Sequence, residues 1–237
     1  MSPQRQGRVG LSLAVPLIAA WLGLHVYGVF FAPLSPPLLV IALVAIQTWL
    51  SVGIYIVAHD AMHGSLLPGN RKICDRIGAV AVWLYAGFTY RDLVPMHHAH
   101  HRHAGTGDDP DFAARTPSAA LPWYGRFMLM YFRRRECVVM LLRVGACMLL
   151  GAPVENILLF FALPGLLSSY QLFYFGTFLP HRHGAGGAAF PDRHNARSSG
   201  YGYIASLLTC FHFGYHHEHH LRPDLPWWRL PAHRRRG

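Results

Sequence analysis

The length of its uncharged runs limits this chain more than any other feature. Val9 to Phe31, Pro37 to Ala58 and Ile157 to Pro180 are 23, 22 and 24 residues without a formal charge. A helix of about 20 apolar residues crosses a bilayer, so each run reads as a membrane span. A weaker fourth run, residues 137–151, carries Arg143, Gly145 and Gly151. It would make a poor soluble helix but can form one wall of a bundle. The first run exceeds the roughly 7–15 residues of a signal-peptide apolar region, and a second follows closely, so it reads as a retained anchor. Composition agrees: 52% of residues are hydrophobic and 14% charged.

A net charge of +10 would suit nucleic acid, but its placement argues for membrane topology. Lys and Arg flank the runs at Arg5 and Arg8, at Arg71, Lys72 and Arg76, at Arg133 to Arg135, and at Arg234 to Arg236. The connectors "APLSPP" and "APVEN" contain neither residue. Cytoplasmic loops are the ones enriched in Lys and Arg. Both termini and residues 59–136 and 181–237 are therefore expected inside, with two hairpins of spans between them. Cys74, Cys137, Cys147 and Cys210 show no C-x-x-C spacing and read as buried thiols. The Gly-rich polar segment 182–200 reads as a mobile loop.

Three histidine clusters fall in the expected cytoplasmic segments. "HDAMHG" gives His59 and His63, "HHAHH" gives His97, His100 and His101, and "HHEHH" gives His216, His219 and His220. Positions i, i+3 and i+4 share one helix face, and only one register in each of the latter two clusters yields H-x-x-H-H. Pro95 suits the first turn of a helix there. Eight imidazoles exceed one ordinary coordination shell and suit two ions with open positions. A carboxylate di-iron bundle needs E-x-x-H motifs, and none of Glu136, Glu155 or Glu218 begins one. A zinc protease needs H-E-x-x-H, which fails at His217 and Glu218. Bis-histidine haem needs histidines on facing spans, and only His25 lies within one. A metal-scavenging tract would be a single low-complexity run. Two irons would suit O₂ activation, and two zincs hydrolysis.

Longer strings carry a resemblance. "AHDAMHGSL", "HHAHHRHAGTGDDPDF", "FYFGTFLPHRHG" and "FHFGYHHEHHLRPDLPWWRLP" resemble the membrane fatty-acid desaturase and hydroxylase superfamily, and within it the bacterial carotenoid 4-ketolases. The likeness covers most of the chain from Ser51 onward. It implies an all-α integral membrane four-span bundle, a single domain over residues 1–237, with a cytoplasmic histidine-rich di-iron cap. It implies O₂-dependent conversion of an allylic ring methylene to a ketone by two successive hydroxylations, with beta-carotene as substrate. Electrons would come from an external donor, ferredoxin or a similar carrier, because the chain has no flavin, haem or Fe–S motif. The ligands carried over are His59, His63, His97, His100, His101, His216, His219 and His220. His181 is a ninth, with His183 its competitor. A hydroxylase or desaturase acting on another lipid shares this pattern. A non-catalytic metal-transport protein would need polar residues along the spans, which are scarce.

Other residues take roles around that site. Asp60, Asp108, Asp109 and Asp111 are candidate hydrogen-bond partners of the ligating histidines. Glu218 points off the ligand face and reads as solvated or arginine-paired. Arg143 reads as facing the bundle or reaching to the interface. Tyr170, Phe173 and Phe175 on the last span, with Trp227 and Trp228 in "LPWWRLP", are candidate walls for a polyene or its ring. For the tryptophans the other reading is an interfacial anchor.

Overall fold

A computed structural model describes residues 1–183 and 190–234, and all regular structure among them is helical. Helix α1 spans Pro3–Phe31, α2 Pro37–Met62, α3 Arg71–Ala86, α4 Tyr90–His103, α5 Ala120–Tyr131 and α6 Arg134–Leu149. Helix α7 runs through Val154–His181. Short helices α8 (Tyr203–Cys210), α9 (His216–Leu221) and α10 (Leu230–His233) complete the chain.

Local chemistry sets these boundaries. The Ser2 hydroxyl accepts the Arg5 N–H at 3.3 Å, and Pro3 opens α1 without wasting a donor. The Asn70 side chain accepts the Ile73 N–H at 3.2 Å to start α3, and Gly87 ends it at φ +71°, a conformation that glycine adopts without strain. That cap allows α4 to begin at Tyr90. Pro95 therefore lies inside α4 and not in its first turn, which leaves the Arg91 carbonyl without its usual partner.

Among the described residues, three helices are long and apolar enough to cross a membrane: α1, α2 and α7, with 29, 26 and 28 residues. At 1.5 Å per residue α2 is about 39 Å long, against about 30 Å of hydrocarbon. The surplus carries His59 to the helix end. The expected fourth run, 137–151, meets the 16-residue α6, about 24 Å long. Arg143 on α6 donates to the carbonyls of Trp83 and, at 3.1 Å, Leu84, and its guanidinium lies over the Trp83 ring. It therefore caps the C-terminus of α3, as a cation should. Helices α3, α5 and α6 expose large apolar side chains, among them Val80, Trp83, Leu129 and Leu142. Cys74 and Cys210 are buried as expected, whereas Cys137 is exposed on α6.

Close contacts lock the bundle. A Cβ on Gly28 would sit 2.8 Å from the Phe160 Cβ, so α1 and α7 touch nearly backbone to backbone. The buried Asn156 amide donates to the Gly28 and Ala32 carbonyls at 2.9 and 3.0 Å. At the other end of α1, the buried Gln6 amide donates to the Ser65 and Asp224 carbonyls and its oxygen accepts from Arg229. The start of α1, the turn after α2 and the tail thus lie on one side, with the histidines. Part of the expected loop over 182–200 is pinned, since Ser199 N–H donates to the Gly214 carbonyl at 2.7 Å. Residues 184–189 of that loop, and Arg235 and Arg236 of the terminal triplet, lie outside the described residues.

Gly28→Val is expected to lower the melting midpoint of the detergent-solubilised protein, by an overpacking cost of about 1–3 kcal/mol. Gly23 faces open space, and Gly23→Ala is expected to hold or raise it, by up to about 1 kcal/mol. Circular-dichroism melts check both, and an unchanged midpoint for Gly28→Val would contradict the α1–α7 contact.

Candidate metal centre and its cavity

Four chain segments bring their histidines to one point: the end of α2, the last two turns of α4, the end of α7, and α9. The histidines fall into two groups. One nitrogen from each of His59, His63, His97, His101 and His219 lies within 4.8 Å of all the others, and the same holds for His100, His181, His216 and His220. The groups adjoin, since His101 and His220 stack with ring centroids 4.2 Å apart. His183 joins neither group. Its ring packs on Phe112 and Phe190.

The nitrogens have the chemistry of a cation site. Nε2 of His97 and His63 are 2.7 Å apart, those of His219 and His101 3.0 Å, and those of His220 and His216 3.0 Å. Two nitrogens bound to one ion at about 2.1 Å stand about 3.0 Å apart at a right angle. Both ring nitrogens of His59 and Nε2 of His181 are buried without a hydrogen-bond partner among the described residues. Such burial is costly unless something fills the role. Burial, and then the charge of neighbouring imidazoles, holds His97, His216, His219 and His220 well below the ordinary imidazole range. Their rings are neutral at pH 7, which is the form that ligates.

The acidic residues differ in what they touch. Asp109 is buried and holds Nδ1 of His100 with both oxygens at 3.0 Å. It also accepts the N–H groups of Gly105 and Asp111, each at 2.8 Å. Burial alone would lower the His100 imidazole, but the Asp109 hydrogen bond and charge outweigh it and raise the group above its ordinary value. Asp111 stands 3.8 Å from the same nitrogen and accepts the Tyr131 hydroxyl. Burial pushes its carboxyl above the usual range. Asp60 lies 3.6 Å from Nδ1 of His59 and accepts the Trp227 N–H at 3.1 Å, tying the tail to α2. Asp108 is exposed. Glu218, expected to be solvated or arginine-paired, is buried rather than solvated and accepts the Ser198 hydroxyl, because the loop 190–200 folds over α9. Sequence reasoning passed over Asn195, whose carbonyl accepts Nδ1–H of His181 at 2.7 Å. It sits outside the histidine clusters, and no local pattern marks it.

A cavity of about 430 Å³ leads away from the histidines. His59, His97, His100 and His216 form one end, and Tyr85, Phe88, Met140, Phe161, Gly165 and Leu166 form part of its walls. The five expected wall residues are not among its lining. Phe173 is fully buried in a cluster with Trp123 and Phe178, and Tyr170 packs beside it. Phe175 and Trp227 pack against Phe211 and Phe213, and Trp228 lies against Gly10. Leu172, Gly176 and Thr177 face the cavity instead. The cavity-facing residues of α7 form an ordinary helical stripe, Gly165, Ser169, Leu172 and Gly176, and the aromatic Tyr170, Phe173 and Phe175 lie off it.

Comparison with known proteins agrees with this arrangement. The chain matches the fatty acid desaturase family over residues 33–136 and 132–236. It is 52% identical to a beta-carotene ketolase of Paracoccus sp. (strain N81106 / MBIC 01143), over 93% of this chain and 90% of that protein. It is 47% identical to another from Paracoccus sp. (strain PC1), over 100% and 99%. A zeaxanthin 4-ketolase of Chlamydomonas reinhardtii is 38% identical over 97% of this chain and 54% of its own length. With its helical membrane spans and converging histidines, the chain belongs to the fatty acid desaturase family, among relatives that are beta-carotene ketolases.

Proposed function

We propose that this protein is an O₂-dependent beta-carotene 4-ketolase with two irons, one in each histidine group. The observation that carries the reading is the apolar cavity whose lining includes the candidate ligands His59, His97, His100 and His216. It supports a lipid substrate brought end-on to a metal, and the named relatives supply its class. We assign His59, His63, His97, His101 and His219 to one ion and His100, His181, His216 and His220 to the other.

Iron held by these histidines would supply O₂ activation for insertion into a C–H bond. The chain's own residues bind, orient and exclude. Asp109 fixes the tautomer of His100 so that Nε2 is free to ligate, and the Asn195 carbonyl does the same for His181. The apolar walls hold a ring methylene against the metal end and keep water away, so positioning selects which C–H bond reacts. Two rounds at one carbon give a geminal diol, which loses water to give the ketone. Each round needs two electrons from outside, and reduced ferredoxin or a similar carrier is the proposed donor. The basic histidine-bearing face would receive it. We place that face, both termini and segments 59–136 and 181–237 in the cytoplasm and the spans in the bacterial inner membrane. The whole chain, 1–237, acts as one domain, with α6 completing the bundle as its fourth, shorter member.

Expression in a host that makes beta-carotene tests the reading, with pigments analysed by chromatography and mass spectrometry. Ring ketones are expected. Hydroxylated rings alone would move the chain to a hydroxylase, and unchanged beta-carotene with iron bound would point to another lipid. His100→Ala is expected to abolish ketone formation and lower iron per chain while membrane insertion persists. Asp109→Asn is expected to cost about 10–100-fold in activity or iron affinity. Gly165 lines the cavity, and nothing lies within 4 Å of a Cβ built there. Gly165→Phe should therefore block ketone formation at least tenfold with iron content unchanged. Wild-type turnover in that variant would remove the cavity from the reaction.

A further inference from the structure

The two histidine groups are backed unequally. In the group of four, two members are anchored through Nδ1: His100 by Asp109, and His181 by the Asn195 carbonyl at 2.7 Å. Asn195 is held in turn. Its backbone is left-handed at φ +44°, which asparagine tolerates better than most residues. Its amide donates to the Ala104 carbonyl at 2.8 Å, just past the end of α4. Its N–H donates to the Asp192 carbonyl at 3.2 Å. Next to it, a Cβ on Gly105 would fall 2.9 Å from the Asn195 Cβ, so the two backbones approach closely. The Gly105 N–H donates to the Asp109 carboxylate, which holds His100. One continuous path thus joins His181 at the end of α7 to His100 on α4, and Asn195 is its middle link.

We propose that Asn195 is a positioning residue for the ion of the four-histidine group, clamping the end of α7 to the end of α4 so that His181 and His100 address the same metal. The left-handed turn aims the carbonyl at His181, and the amide fixes the turn on α4. This rests on the reading of the histidines as iron ligands, not on the identity of the lipid.

The test uses the full chain in detergent, reconstituted with ferrous ⁵⁷Fe and dialysed against a chelator. Iron per chain and Mössbauer spectra are then read. Asn195→Val disfavours the left-handed turn and removes the amide. It is expected to weaken one ion by about 10–100-fold, so that dialysis leaves about one iron where wild type keeps about two, with one spectral component lost. Asn195→Gly keeps the turn and the carbonyl, and should recover part of the second iron. In a His181→Ala background, adding Asn195→Val should change iron retention no further, because the residue acts through His181. Two firmly held irons in Asn195→Val, or an equal further loss on top of His181→Ala, would overturn the proposal. If Asn195→Val does not fold, Asn195→Gly decides: iron release at the wild-type rate would overturn the clamp. A wild-type chain that retains no iron would overturn the metal reading and the clamp with it. Retained iron without ketone formation would leave the clamp standing and remove only the ketolase reading.

Discussion

The structure depends on one constraint: many imidazoles share a small buried volume, and several of their nitrogens have no hydrogen-bond partner among the described residues. Three pairs of Nε2 atoms approach to 3.0 Å or less. Where both neutral rings of a pair carry their proton on Nδ1, two Nε2 lone pairs face one another. A cation at each group would turn that frustration into coordination. The four histidine-bearing segments belong to separate parts of the chain, so metal binding would also join them and couple folding to metal affinity. The remaining architecture brings four helix ends to this point: the surplus length of α2, the glycine cap that starts α4 early, the long α7, and the loop 190–200 that holds the buried Glu218 of α9.

Outer hydrogen bonds divide the two groups. His100 and His181 each spend Nδ1 on an acceptor, one charged and one neutral. A carboxylate partner makes an imidazole a stronger electron donor than a carbonyl does. The four-histidine site therefore carries a built asymmetry among its own ligands. In the five-histidine group, Asp60 stands 3.6 Å from Nδ1 of His59, beyond hydrogen-bond reach, and spends its bond on the tail. The two sites are consequently not equivalent, although each is made of histidine alone.

What could be read from the sequence follows from the range of each interaction. Spans were legible as uncharged runs, because transfer to lipid is a sum over local residues. The H-x-x-H-H registers were legible because helical periodicity is local too. His181 could be told from its competitor His183 only by placement, since both sit at a helix end. Asn195 was invisible, because its role rests on a left-handed turn and two contacts distant in sequence. The cavity wall was misplaced by one face of α7. Tyr170, Phe173 and Phe175 were chosen for their aromatic rings, whereas the helix stripe that faces the cavity is Gly165, Ser169, Leu172 and Gly176. Glu218 was placed off the ligand face, and its burial follows from the loop that closes over α9.

A membrane enzyme of this kind faces two demands that conflict. Metal ligands are polar and need outer partners, which hydrocarbon cannot supply. A lipid substrate needs apolar walls, which water would spoil. The chain separates the demands along the helix axis. Ligands occupy helix ends, where Asp109, Asn195 and the loop 190–200 can reach them. The cavity occupies helix bodies, where Phe161, Leu166 and Met140 line it. The two meet at His59, His97, His100 and His216, which show one edge to the metal position and another to the cavity. On the proposed ketolase reading, the reacting carbon would be chosen by how far the apolar walls let a rigid ring advance toward those imidazoles.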